Sequence, residues 1–103
     1  MPSIEQLEKL LALEPSDTFV LYGLAQEHAK AGDFAKAVEF YDRCLAIDPA
    51  YCYAYYHKAR ALEEAGDEPA AVETLRVGLT AARDAGDQPA IGEIGQYLDI
   101  LEP

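Results

Sequence analysis

A chain of 103 residues, half of them hydrophobic and 26% charged, is long enough for one domain with a modest core and too apolar to stay disordered. Nineteen acidic residues against eight basic ones leave a formal charge of -11. That field repels phosphate backbones and anionic lipid, which argues against nucleic acid or a membrane surface as partner, and it favours encounter with neutral or basic protein segments. No apolar run approaches the ~18 residues needed to cross a bilayer. The start, Met1-Pro2-Ser3-Ile4-Glu5, has neither the basic residues nor the apolar stretch of a secretory signal. Cys44 and Cys52 are too few to staple a secreted scaffold and lack Cys-x-x-Cys spacing. A cytoplasmic compartment is therefore expected, and Met1 favours a complete small protein.

Every segment between breakers carries helical periodicity. Ile4, Leu7, Leu10 and Leu11 form a first apolar stripe, ended at Glu14-Pro15 because proline disfavours helix at the residue before it. Ser16 or Asp17 can cap the next helix, whose stripe is Leu21, Leu24, Ala25 and His28. Gly32-Asp33 is a turn. A third helix runs from about Phe34 to Ile47, with Ala37, Phe40, Tyr41, Cys44 and Leu45 inward, and Asp48-Pro49 stops it. A fourth covers about Tyr51 to Ala65 before a second turn at Gly66-Asp67. Pro69 falls in the first turn of a fifth helix, a position that tolerates proline. This helix should be longer, because Arg83-Asp84 stands where an Asp-Pro stop would recur. Gly86-Asp87 ends it, and Pro89 opens a sixth with Ile91, Ile94, Leu98 and Leu101 on one face.

The chain also repeats itself at a spacing of 34 residues. Leu11-Ala12-Leu13-Glu14-Pro15 returns as Leu45-Ala46-Ile47-Asp48-Pro49, Ala31-Gly32-Asp33 as Ala65-Gly66-Asp67, and Ala37-Val38-Glu39 as Ala71-Val72-Glu73. The series Leu21, Leu24, Ala25, His28 returns as Tyr55, Lys58, Ala59, Leu62, and again, two residues late, as Ile91, Ile94, Gly95, Leu98. A fixed period of this size marks stacked repeats. Ala25, Ala59 and Gly95, with Ala37 and Ala71 on partner helices, are expected where neighbouring helices cross closely.

These residues resemble the tetratricopeptide repeat family, whose unit is a pair of antiparallel helices. Leu21, Leu24-Ala25, His28, Ala37, Tyr41, Cys44 and Pro49 match its pattern in the first full repeat. The second keeps Tyr55, Ala59, Ala71, Leu75 and Gly78, has Lys58 at the usual leucine and lacks the terminal proline. The resemblance implies an all-α fold of about six helices stacked as a short right-handed α-solenoid. It divides the single domain into a half-repeat at 1–15, repeats at 18–51 and 52–87, and a capping helix at 88–103. It further implies a concave groove lined by the first helix of each pair.

Helical spacing then puts Phe19, Tyr22, Gln26 and Lys30 on the groove, followed by Tyr53, Tyr56, Arg60 and Glu63 or Glu64, and by Gly92, Gln96, Asp99 and Ile100. Tyrosine and arginine are the residue types that most often dominate binding energy, and Gly92 would leave a hollow beside Tyr56. Some members of the family clamp a partner's C-terminal carboxylate with lysines and asparagines. Here Tyr22, Gln26, Tyr56 and Arg60 stand at those places, so that clamp is not expected. The leading reading is a non-enzymatic adaptor that binds a protein or peptide. The alternative is a self-associating assembly protein, such as a homodimer, using the apolar residues left over on the first and last helices. A third reading, an enzyme accessory with His57 and Arg60 facing phosphate, lacks a glycine-rich loop or paired carboxylates. No cofactor or metal is expected, because no two histidines or cysteines share ligand spacing. His28 should be a packed histidine, Cys44 an inert thiol, and Lys58 a core-edge residue whose ammonium reaches water.

Overall fold

Four aspartates start helices. In the computed structural model, which describes residues 2–103, the side chains of Asp17, Asp33, Asp67 and Asp87 accept hydrogen bonds from backbone N–H groups one turn ahead. Each such cap satisfies an otherwise orphaned donor and stabilises its helix by about 1 kcal/mol. The helices they open are α2 (Thr18–Lys30), α3 (Phe34–Ile47), α5 (Glu68–Ala85) and α6 (Gln88–Leu101). The first, α1 (Ile4–Leu13), begins instead with a reciprocal cap between Ser3 and Gln6. α4 (Cys52–Glu64) follows Tyr51 and has no side-chain cap; the Tyr55 hydroxyl secures this corner by donating to the Pro49 carbonyl at 2.9 Å.

The three Gly-Asp pairs each do two jobs. Gly32, Gly66 and Gly86 take φ of 81, 90 and 68°, a left-handed conformation that costs glycine no Cβ clash. This lets the following aspartate send its N–H back to the preceding helix: Asp33 to His28, Asp67 to Leu62 and Asp87 to Ala82. The same aspartate then caps the next helix. A tight reversal of direction is thus written in two residues. α5, with 18 residues, is the longest helix, as the missing Asp-Pro stop implies.

The chain forms an all-α helical repeat measuring 41 × 30 × 20 Å, in which α2 packs on α3, α4 on α5, and α4 also on α3. α1 covers one end against α2, and α6 the other against α5 and α4. The small residues set how near the paired helices come. Ala25 and Ala37 are fully buried in a cluster with Leu21, Tyr41 and Cys44. Ala59 and Ala71 are fully buried in a second, with Leu75, Ala90 and Ile94. A close approach occurs at Gly78, where an added Cβ would lie 2.5 Å from the Tyr55 Cβ. Gly95 differs from its sequence reading. Nothing lies within 4 Å of where its Cβ would be, because no helix covers α6 as α3 covers α2. Among the described residues no helix is long and apolar enough to cross a membrane.

The two glycines respond oppositely to one methyl group. Gly78→Ala forces the α4–α5 pair apart, and overpacking of about 1–3 kcal/mol outweighs the helix propensity it gains. Gly95→Ala meets open space and stabilises by roughly 0.5–1 kcal/mol. Chemical denaturation is expected to shift the midpoint down for the first variant and up for the second.

Candidate functional site

α2, α4 and α6 carry a row of aromatic rings across one face. Tyr51 and Tyr22 have centroids 5.0 Å apart, Tyr22 and His57 5.9 Å, His57 and Tyr56 5.3 Å, and Tyr56 and Tyr97 5.3 Å. Such tilted and edge-to-face contacts each add about 0.5–1.5 kcal/mol beyond the area they bury. The row is rooted in the core through Tyr41, which is fully buried, meets Tyr22 edge-on at 6.0 Å and donates its hydroxyl to Gln26 Oε1. At the other end Tyr97 donates to Glu63 Oε1 at 2.5 Å, tying α6 to α4.

Two hollows flank this row. One, of about 340 Å³, lies between α2 and α4 and is lined by Gln26, Lys30, Phe34, Tyr41, His57, Arg60 and Glu64. The other, of about 370 Å³, lies between α4 and α6 and is lined by Tyr56, Arg60, Glu63, Glu93, Gln96, Tyr97 and Ile100. Arg60 borders both. It has no ion-pair partner among the described residues, whereas Lys30 is held by Glu27 at 3.1 Å and Lys58 by Asp42 at 2.6 Å.

The groove residues read from spacing are thus partly gathered. Tyr22 and Tyr56 stand in the aromatic row; Gln26, Lys30, Arg60, Glu63, Glu64, Gln96 and Ile100 line the hollows. Tyr53 is half-buried, its phenol raised by partial desolvation and by the Glu93 carboxylate beside it. Phe19, Gly92 and Asp99 are exposed and border neither hollow. Tyr51, Tyr97, Phe34 and Glu93 join the site without having been singled out by spacing. α6 turns its Glu93–Tyr97–Ile100 side to the groove because Ala90 and Ile94 are buried against α5.

The chemistry available combines hydrogen-bonding rings with charged groups, Arg60 and Lys30 as cations and Glu63, Glu64 and Glu93 as carboxylates. Burial, reinforced by Tyr51, pushes the Tyr22 phenol up to about 12. Tyr41 is raised further by burial, and Tyr97 by burial and its bond to Glu63. All three therefore keep their protons at neutral pH. Burial, then the Arg60 charge, lowers His57 below the usual 6.5, which leaves its ring uncharged there. Neither thiol is activated. Burial lifts Cys44 to about 11 and also raises Cys52, and the two S–H groups donate to the carbonyls of Thr18 and Ala50. His28 is buried and stacks on Phe40 at 5.5 Å, a packing role. Among the described residues no three His, Cys, Asp or Glu side chains are grouped to hold a metal ion.

His57 makes the fold sensitive to mild acid. With its folded pKa below the unfolded value near 6.5, the unfolded chain takes up the proton first as pH falls. Its contribution to stability is complete above that value and declines as pH drops through it. Urea midpoints measured at about pH 7 and about pH 5.5 should fall more for the wild type than for His57→Gln; equal falls would show that His57 is not the group responsible.

Comparison with known proteins places this arrangement. The description of the tetratricopeptide repeat family matches residues 28–91. The crystal structure of a tetratricopeptide repeat domain protein from Salinibacter ruber is 30% identical and superposes with a TM-score of 0.76, covering 84% of this chain and 96% of that one. A protein from Bordetella parapertussis, solved in solution, is 28% identical with a TM-score of 0.84 over 98% of this chain and 88% of its own. MamA is 25% identical with a TM-score of 0.77, over 81% of this chain and 45% of that one. No curated protein sequence matches. The matched segment covers more than half of the residues, so the chain belongs to the tetratricopeptide repeat family.

Proposed function

We propose that the protein is a non-enzymatic interaction module that holds a protein or peptide segment in the groove between α2, α4 and α6, in the cytoplasm. The observation that carries this reading is the continuous aromatic row with the unpaired Arg60 between two hollows. Tyrosines already held by their neighbours lose little freedom on binding, and Arg60 is free to donate to a main-chain carbonyl or a carboxylate. The charge of -11 favours a segment that is neutral or basic overall.

Three groove helices offer room for an extended segment of roughly 6–8 residues at about 3.3 Å each. With two or three anchors of about 2 kcal/mol apiece, affinity should be around micromolar. The reading divides the repeats at 18–51 and 52–87, with α1 and α6 as flanking covers.

Affinity capture from native lysate with the wild type and with Tyr56→Ala/Arg60→Glu tests this. Both side chains are at least partly exposed, so the variant should keep its helical circular dichroism. A partner retained by the wild type and bound at least about tenfold more weakly by the variant is expected. Equal capture by the two proteins would exclude the groove.

A further inference from the structure

We propose that the open faces of α1 and α6 bind each other between copies of the chain, head to tail, so that α6 of one copy and α1 of the next pair as α2 pairs with α3. This inference is independent of the groove reading, because neither face borders the aromatic row at Tyr22 and His57.

The argument rests on the 34-residue register. Leu10 is the counterpart of Cys44 and Gly78, and Ile91 is the counterpart of Leu21 and Tyr55. Inside the molecule these positions meet. Leu21 shares a fully buried cluster with Cys44, and Tyr55 rides directly over Gly78. The third member of each series lacks that facing partner: Leu10 is 46% exposed, and Ile91 packs against its own core cluster on one side but stays only half-buried. A second pair of positions behaves the same way. Ala25 is buried with Ala37, and Ala59 with Ala71, whereas their counterparts Gly95 and Ser3 are uncovered at opposite ends. Each end thus presents the half of a contact that the other end lacks.

The sizes differ between the two pairs of positions. Across the first, leucine faces cysteine and tyrosine faces glycine inside the molecule, so isoleucine with leucine is a bulkier, wholly apolar pair that sets the two copies somewhat further apart there. Across the second, glycine with serine is as small as alanine with alanine, which permits the same close approach. The α1 face continues into a hollow of about 520 Å³ lined by Pro2, Gln6, Lys9, Leu10 and Leu13. No other described helix shields it.

Electrostatics supplies a signature. Two copies of charge -11 repel, and the contact itself is apolar, so added salt should strengthen association. A contact built on opposite charges would weaken instead.

Two substitutions separate the faces. Gly95→Leu points into open space in the single chain, so it folds, but it overfills the junction with α1 of a neighbour. Leu10→Glu places a charge on the other half of the contact at a site already half exposed. Sedimentation velocity from about 10 µM to about 1 mM should show the wild type associating, more strongly at high salt, and each variant associating at least roughly tenfold more weakly. Mixing the two variants restores one intact junction, so a dimer that does not grow further is expected. A wild type that stays monomeric throughout overturns the proposal. So does association that survives Gly95→Leu, or variants that fail to pair on mixing, which would mean a symmetric contact between like faces.

Discussion

Helices in this chain come together only as closely as the residues at their crossings allow, and that constraint governs everything built on them. Where Gly78 faces Tyr55, α4 and α5 approach until a single added carbon would collide. Ala25 with Ala37, and Ala59 with Ala71, are fully buried together at the other crossings. Because the side chains at these points are so small, the larger ones beside them, Leu21, Leu24, Tyr41 and Leu75, are fully buried between the helices. The groove inherits its geometry from this packing. Tyr41 is fixed by the core, Tyr22 leans on Tyr41, and His57 and Tyr56 follow.

The helix ends were legible in the sequence because they depend on main-chain requirements that few residues meet. A left-handed φ next to a capping position calls for glycine followed by aspartate, and that pair occurs at each place where the chain reverses tightly. The length of α5 could be read from a missing stop. Tyr22, Tyr56 and Arg60 could be placed on the groove side because they lie well inside long helices, where spacing fixes direction. Tyr51 could not, since it stands just before α4 and outside any helical periodicity. Tyr97 was hidden for a different reason. Which side of α6 faces the groove depends on how Ala90 and Ile94 seat against α5, a contact between distant parts of the chain. Gly95 shows the reverse failure: the register is right, but its meaning depends on a covering helix that is not there.

Charge and burial divide the work of the molecule. The acidic residues lie mainly on the surface, where several cap helices and repel other anions at a distance. The aromatic row, by contrast, is built from phenols and an imidazole that burial keeps neutral, with Arg60, Lys30 and three glutamates in the hollows beside it. The row therefore presents neutral hydrogen-bonding rings within an acidic field, and the charges that set the field are carried by different atoms from those that form the row.

The two cysteines have a consequence for how the stack moves. Cys44 is buried in the cluster built around Tyr41, and Cys52 in the cluster built around Leu75 and Ile94. Each hydrophobic half of the molecule thus contains one shielded thiol, and the two are separated in sequence by the Asp48-Pro49 break. A bulky thiol reagent can reach Cys44 only when α3 lifts from α2, and Cys52 only when α4 loosens from its own neighbours. Divided by each thiol's reactivity in the unfolded chain, the two labelling rates compare the openings of the two clusters: equal values are those of a single cooperative unit, and unequal values mean that one cluster opens while the other holds. No engineered cysteine is needed, because the chain carries its own thiol in each of these two clusters.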